Sequence, residues 1–328
     1  MQQNRMLFFG IIGLALLIVI GMGLARLFIP EIGPANVLIQ VVTAPSIKPW
    51  VEESAQQFNQ TNGRIEVQVL TANTLVPTSQ FASSSPQAVP PAAWLAEATF
   101  MVEMARHGDY AFDDSQSVAA TSMAWGGYND KLSQFEAYGG INWPALNKKA
   151  TDDILKLVIA SPQNTAEGLA ALMSAAAVAQ NSQSLTTNDI SAANGWLAET
   201  LGDRNTVTPP TPAETLASVQ GRTLGDIGLL SLASWRGAKL DSRTDFQIIP
   251  LDPNVALDFP FAIYTDSKSP VENQAAARAF RDFLLAEAQQ NRLSSVYLDK
   301  AATAAPGGVQ IDGSGIQRLY NSLNQILR

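Results

Sequence analysis

A short apolar run, a polar turn and a helix of small residues form the clearest pattern in the chain. Residues 155–160 are apolar except for Lys156, and the polar or proline residues 161–163 end this run. Residues 169–179 then contain a single polar side chain, that of Ser174. The pattern predicts a buried strand that feeds a buried helix. In an α/β fold, the start of such a helix lies at the carboxyl edge of a sheet, where ligands bind.

The turn before this helix contains candidate capping and ligand-binding residues. We predict that Asn164 is the N-cap and that Glu167, three residues later, reaches back to the N–H of the cap. The first turn would then direct its N–H groups and the positive end of the helix dipole at a ligand. In this interpretation Gly168 leaves room for the ligand. The alternative is an ordinary capped helix in which Gly168 packs against a neighbouring strand.

Strand and helix patterns alternate along the rest of the chain, which predicts an α/β fold. Residues 92–95 are expected to lead into a helix over 95–106, and extended segments at 118–124 and 258–264 are candidates for strands that cross between two lobes. Other predicted strands lie at 37–42, 64–70 and 246–250, and other predicted helices lie at 188–201, 213–219, 271–291 and 315–327.

The N-terminus reads as a membrane anchor over residues 1–30. Residues 7–29 are apolar except for Arg26, and residues 7–25 alone are long enough to span a bilayer. A signal peptide usually has a shorter apolar region, although Gly23 and Ala25 leave cleavage after Ala25 open. We therefore expect a single-pass protein of the cell membrane whose globular body lies on the extracytoplasmic side.

Length, charge and composition narrow the possible functions. The 328 residues suffice for two globular units. The formal net charge of −8 argues against a nucleic-acid partner. The absence of cysteine excludes disulfides and thiolate metal sites, and a single histidine, His107, excludes sites with several histidines. No nucleophile–base pairing or metal-ligating cluster is evident, so we expect neither enzymatic activity nor a cofactor.

Several motifs, taken in order, resemble those of type 2 extracytoplasmic solute-binding proteins of ABC transport systems. Within this group, the chain most resembles the bacterial branch that is often fused to a von Willebrand A domain, and the resemblance covers nearly all of residues 36–302. It implies a type 2 periplasmic-binding-protein fold with one lobe from residues 36–122 and 258–328, a second lobe from 123–257, and closure on a ligand. The motifs are Val41–Ser46, Pro91–Trp94, Ala160–Leu169, Phe259–Ile263 and Ala275–Leu284, followed by Gln289.

The resemblance also implies a set of ligand-contacting residues in the turns after the strands. One departure concerns the helix after residue 165, whose first turn usually carries hydroxyl residues in the family and has Ala166 and Glu167 here. A carboxylate at that position would oppose a bound oxyanion. The implied site residues are Thr43, Ser46, Ala93, Trp94, Ser122, Met123, Asn164, Thr165, Glu167 and Gly168.

The functional prediction is a membrane-anchored solute-binding protein that captures a small polar ligand in a cleft between the lobes. Its expected partners are that ligand, the membrane through residues 7–29, and an ABC permease or other subunits of a membrane complex. The alternative is an accessory or scaffold subunit of a membrane complex that keeps the fold without a ligand.

Overall fold

The computed structural model describes residues 37–82, 89–152, 155–301 and 308–328. The predicted anchor, residues 1–30, lies outside these ranges. Among the helices within them, none combines the length and hydropathy that a membrane span requires. Membrane attachment through residues 7–29 therefore stays a prediction.

Strands and helices alternate through the described chain, so the predicted α/β class is confirmed. The strands are β1 (Val37–Thr43), β2 (Ile65–Thr71), β3 (Ala93–Leu95), β4 (Phe112–Ser117), β5 (Ala119–Tyr128), β6 (Leu157–Ile159), β7 (Ser184–Leu185), β8 (Thr206–Val207), β9 (Ile227–Ser231), β10 (Phe246–Pro250), β11 (Ala256–Leu257), β12 (Pro260–Tyr264), β13 (Asp299–Lys300) and β14 (Gln310–Ile311). The helices are α1 (Lys48–Thr61), α2 (Thr78–Phe81), α3 (Thr99–His107), α4 (Asn129–Leu132), α5 (Trp143–Asp152), α6 (Ala166–Gln180), α7 (Thr187–Leu201), α8 (Pro212–Ala217), α9 (Gly221–Leu224), α10 (Leu232–Gly237), α11 (Val271–Leu285), α12 (Glu287–Gln290) and α13 (Gly313–Ile326).

Two mixed β-sheets form the framework of the fold. The first has the strand order β2-β1-β3-β12-β4, in which β1 runs parallel to β2 and β3 while β12 runs antiparallel to β3 and β4. The second has the order β10-β5-β9-β6-β8, with β11 and β13 also paired to β5. A short parallel pair joins β14 to β7. The parallel strands bring several carboxyl ends to one edge of each sheet, which is where the helices that follow them begin.

Strand β3 corrects one detail of the predicted secondary structure. The sequence predicts that residues 92–95 lead into a helix over 95–106, but residues 93–95 form the central strand of the first sheet, and α3 begins only at Thr99. All three residues of β3 are buried. A strand of three apolar residues is too short to show the two-residue alternation that identifies a half-buried strand.

The chain passes between the two sheets at two adjoining points, from β4 to β5 and from β11 to β12, and it returns to the second sheet once more where β13 pairs with β5. The two passages touch each other, because the N–H of Val118 donates to the carbonyl oxygen of Phe259 over 3.1 Å. Beside them, the carboxylate of Asp258 accepts from the N–H of Thr99 at 2.7 Å and from Ser117 Oγ at 2.9 Å. Both passages lie within or beside the predicted crossing segments, while the division of the chain into lobes stays a prediction.

The C-terminal helix α13 packs against helices that follow strands of different sheets. Its first residue, Gly313, lies so close to α3 that an added Cβ would come within 2.6 Å of the carbonyl oxygen of Glu103. Its next residue, Ser314, accepts a hydrogen bond from Thr187 Oγ1 of α7 at 2.9 Å. Further along, Ser322 accepts from the amide of Asn194 at 3.3 Å. This helix therefore connects α3 and α7 directly.

Helix α11 buries its aromatic side against the first sheet. Phe280 is fully buried and packs edge-on against Phe58 of α1, with ring centroids 5.4 Å apart, and against Phe261 of β12 at 6.2 Å. At the start of the same helix, Val271 is 76% exposed. The helix thus has one face that is part of the core and one that faces solvent.

We expect Phe280→Ala to lower the free energy of unfolding by about 3–5 kcal/mol, because it removes a buried ring and leaves a cavity. Val271→Ala on the same helix should change it by less than about 0.5 kcal/mol. Urea unfolding followed by tryptophan fluorescence measures both. Equal effects of the two substitutions would contradict the packing described for this helix.

Candidate functional site

The carboxyl ends of strands from both sheets surround a cavity of about 700 Å³. Ser46 follows β1 and Glu97 follows β3 of the first sheet, while Thr165 follows β6 and Ser234 follows β9 of the second. A cavity of this volume is typical of a small-molecule site. The turn after β6, which the sequence pattern singled out, therefore lies at one cavity together with the turns after β1, β3 and β9.

Half of the predicted site residues line this cavity and half do not. Trp94 is only 1% exposed, and its ring lies against that of Phe112, with centroids 5.5 Å apart. The predicted residues in the lining are Ser46, Trp94, Asn164, Thr165 and Glu167; those outside it are Thr43, Ala93, Ser122, Met123 and Gly168. Whether any of them contacts a ligand stays a prediction.

Burial and strand alternation account for four of the five residues outside the lining. Thr43, Ala93 and Met123 are at most 1% exposed, so they belong to the packed interior of the sheets. Ser122 has the cavity-lining Thr121 as its neighbour on the extended strand β5. Because adjacent residues of a strand point to opposite faces, only one of these two side chains can face the cavity.

The predicted cap of helix α6 is wrong by one residue. Thr165, and not Asn164, is the N-cap, and its Oγ1 accepts from the N–H of Gly168 at 3.0 Å. The turn explains the shift, because the N–H groups of Asn164 and Thr165 both donate to the carbonyl oxygen of Ser161, at 3.1 and 3.0 Å. Asn164 is left exposed, with its amide donating to Ser161 Oγ at 3.3 Å.

Glu167 does not reach back to the cap either. Its Oε1 accepts from the N–H of Ser231 at 2.5 Å and from Ser234 Oγ at 2.7 Å. These partners belong to the turn between β9 and α10, so the carboxylate joins the starts of two helices at the edge of the second sheet. The interpretation of Glu167 as half of a capping box is therefore wrong.

Gly168 has a packing role in place of the predicted open approach for a ligand. An added Cβ would contact the carbonyl oxygen of Ala160 and lie 2.6 Å from the nitrogen of Pro162. Its N–H is also occupied by the Thr165 hydroxyl. The prediction that this glycine leaves room for a ligand is wrong, because the backbone of residues 160–162, just after β6, fills that space.

Glu97 is the lining residue with the most direct bearing on chemistry, and the predicted site did not include it. Its Oε1 accepts from Ser46 Oγ at 2.6 Å, and its Oε2 accepts from the N–H of Ala166 at 3.2 Å. Burial raises the pKa of Glu97 above its ordinary value; the Ser46 hydrogen bond opposes this shift, and the charge of Glu167 adds to it. The sequence does give one indication of this residue, because Glu97 is the single charged residue in the otherwise apolar segment 92–98.

Other residues of the cavity were also outside the predicted set. A proline-rich segment after β8 contributes Pro209 and Pro210, and Tyr297 contributes an aromatic ring from near the end of the chain. Within the described ranges, no three histidine, cysteine or acidic side chains come together in a way that could hold a metal ion. The cavity can therefore offer hydroxyl groups, carboxylates and apolar surface to a bound molecule.

A family profile described as bacterial extracellular solute-binding protein matches residues 39–295, which is most of the chain. The chain belongs to this family. The match confirms the predicted family of extracellular solute-binding proteins. It does not show the narrower prediction, membership of the branch that is often fused to a von Willebrand A domain. A comparison with curated proteins gave no match.

Three solved structures resemble the chain over most of its length. The periplasmic binding protein AfuA from Actinobacillus pleuropneumoniae, with exogenous fructose-6-phosphate bound, has a TM-score of 0.61 at 14% identity, over 88% of this chain and 98% of that one. Iron-bound HitA from Pseudomonas aeruginosa has a TM-score of 0.59 at 12% identity, over 89% and 98%. The sulfate-binding protein SubI from Mycobacterium tuberculosis H37Rv has a TM-score of 0.56 at 13% identity, over 89% and 100%. At these identities the resemblance shows a shared fold and no shared ligand.

The assignment of the N-cap can be tested by removing each candidate side chain. We expect Thr165→Ala to destabilise the protein by about 1 kcal/mol, because the Gly168 N–H loses its acceptor. Asn164→Ala, one residue earlier, should have little effect. Urea unfolding of both variants decides the assignment, and a larger loss for Asn164→Ala would reverse it.

The packing role of Gly168 predicts opposite effects of one substitution at two helical glycines. Gly168→Ala should destabilise the protein by about 1–3 kcal/mol, because the new methyl group overlaps backbone atoms. Gly195→Ala, in α7, has nothing within 4 Å of the added Cβ and should stabilise it by about 0.4–1 kcal/mol. Urea midpoints provide the comparison. A midpoint for Gly168→Ala at or above that of the wild type would show that the backbone of residues 160–162 does not constrain this position.

Proposed function

We propose that the chain is an extracytoplasmic solute-binding protein that captures a small polar solute in the cavity between its two sheets. The observation that carries the proposal is the convergence of strand ends from both sheets on one cavity of about 700 Å³. Membership of the bacterial extracellular solute-binding protein family supports it. Ser46, Trp94, Asn164, Thr165 and Glu167 are the proposed contact residues from the predicted set, with Glu97 added.

The wider setting of this function is also part of the proposal. Proteins of this kind deliver solutes to ABC permeases, so a permease is the proposed partner, and residues 7–29 are the proposed attachment to the cell membrane. The AfuA structure holds exogenous fructose-6-phosphate, the HitA structure holds iron, and SubI is a sulfate-binding protein. Because these molecules differ so much in size and charge, the fold alone does not suggest a ligand for this chain.

Ligand binding should raise the stability of the folded protein. A solute present at one hundred times its Kd adds about 2.7 kcal/mol. We expect thermal unfolding with a panel of sugars, amines, amino acids, carboxylates and oxyanions to identify at least one stabilising solute. Ala233→Trp should abolish this stabilisation, because Ala233 lines the cavity and the indole would fill it. Val219→Trp is the control, since Val219 is fully exposed and outside the lining.

Two results would contradict the solute-binding proposal. One is the absence of stabilisation by every class in the panel. The other is a solute that stabilises Ala233→Trp as strongly as the wild type and the Val219→Trp control, since its site would then lie elsewhere.

A second candidate function is a scaffold subunit of a membrane complex that keeps the fold without a ligand. One observation favours it: Glu97 already joins Ser46 after β1 to Ala166 at the start of α6, so the two sheets are connected across the cavity by the protein's own side chain. Extraction from native membranes in mild detergent distinguishes the two. A stoichiometric partner that resists high salt, with no solute retained in native mass spectrometry, supports the scaffold.

A further inference from the structure

The charged side chains that line the cavity are all of one sign. Glu97 and Glu167 are both acidic, and the described lining contains no lysine, arginine or histidine. The two carboxylates also act on each other, since the charge of Glu167 helps to raise the pKa of Glu97. An anionic solute would therefore meet two carboxyl groups and no basic side chain to compensate for its charge.

At the start of helix α6, the N–H groups of Ala166 and Gly168, which could otherwise attract an anion, already donate to side chains of the protein. The N-terminus of a helix binds anions through its free N–H groups and its dipole. In α6 the N–H of Ala166 donates to Glu97 Oε2, and the N–H of Gly168 donates to Thr165 Oγ1. An oxyanion could reach the first of these donors only by displacing Glu97, which would remain beside it in the same cavity.

One carboxylate oxygen of Glu167, Oε2, is available to accept a hydrogen bond from a solute. Its Oε1 takes both of its hydrogen bonds, from Ser231 and Ser234, whereas no donor in the described part of the chain reaches Oε2. Tyr297 lines the same cavity and is 42% exposed, and aromatic faces attract cations. A carboxylate oxygen without a partner and aromatic surface together suit a positively charged group.

We infer that the cavity takes an organic cation, a solute with an ammonium or guanidinium group, and that Glu97 and Glu167 select it against oxyanions. The inference rests on the proposed solute-binding function and assigns its substrate class. An organic cation fits better than a metal ion, because the described residues bring together fewer than three side chains able to hold a metal. The cavity is also much larger than an ion, which leaves room for the apolar part of such a solute.

Protonation of Glu97 gives the site a pH dependence. Burial raises the pKa of Glu97, so its carboxyl group takes up a proton at a higher pH than an exposed glutamate does. The protonated form carries no charge to attract a cation, and a bound cation lowers the pKa again. Affinity for the cation should therefore rise with pH through this pKa. Glu167 is the other titratable carboxyl group that faces the cavity.

Calorimetry on the full chain tests the inference with probes matched in shape. The cations are choline, putrescine and arginine ethyl ester. The neutral probes are glucose and 3,3-dimethylbutan-1-ol, which is an uncharged isostere of choline. The anions are sulfate and glucose 6-phosphate. We expect at least one cation to bind, and to bind at least tenfold more tightly than any neutral or anionic probe. Its affinity should fall as the pH is lowered.

Substitution of each carboxylate then tests its role in selection. Glu97→Gln and Glu167→Gln should each weaken the bound cation about tenfold, and Glu97→Gln should flatten the pH dependence. Glu66→Gln is the control for net charge, since Glu66 is exposed on β2 and outside the cavity lining, and it should leave affinity unchanged. Circular dichroism checks that each variant is folded, and the two variants test the inference independently.

The possible results separate this inference from the proposed function. Preferred binding of sulfate, glucose 6-phosphate or a neutral probe would overturn the cation inference and leave the solute-binding function intact. Equal cation affinity in wild type, Glu97→Gln and Glu167→Gln would overturn the assigned selection by these carboxylates. No binding by any of the three charge classes would overturn the inference together with the proposed function.

Discussion

The cavity is arranged around one hydrogen bond, in which the carboxylate of Glu97 accepts from the start of helix α6. Glu97 extends from the end of β3 in the first sheet and accepts the first N–H of α6, the helix that follows β6 in the second sheet. Its other oxygen accepts from Ser46, in the turn after β1. A partly buried carboxylate is costly unless donors satisfy it, and these two donors come from turns that only the folded chain brings together.

The arrangement of the sheets makes that contact possible. Because β1, β3, β6 and β9 all end at the cavity, the turns that follow them meet although they are distant in the sequence. The passages from β4 to β5 and from β11 to β12 are held side by side by the Val118–Phe259 hydrogen bond, and Asp258 accepts a hydrogen bond from the start of α3 next to them. At the far end of the chain, α13 connects α3 to α7. These contacts fix the geometry in which a single carboxylate can reach both sheets.

Membership of the solute-binding family does not determine what this cavity holds. Among structures with a similar fold, one holds fructose-6-phosphate, one holds iron and one is a sulfate-binding protein, so these ligands range from a sugar phosphate to a metal. The fold provides helix N-termini and a cavity, and the side chains at the turns then set the electrostatics. A basic residue or an open helix N-terminus at these turns would favour an anion. Here the turns carry two carboxylates instead, those of Glu97 and Glu167.

The sequence by itself determined the α/β class, the strand–turn–helix unit around residues 155–181 and the family, because periodicity and motif order are properties of neighbouring residues. It did not determine the cap of α6, since Asn164 and Thr165 are both suitable and the geometry of the turn at Ser161 chose between them. Nor could it assign a partner to Glu167, whose hydrogen bonds reach Ser231 and Ser234, more than 60 residues away. The tertiary structure alone placed Glu97 against the start of a helix 69 positions later in the chain, because only the pairing of strands in two sheets sets the distance between such residues.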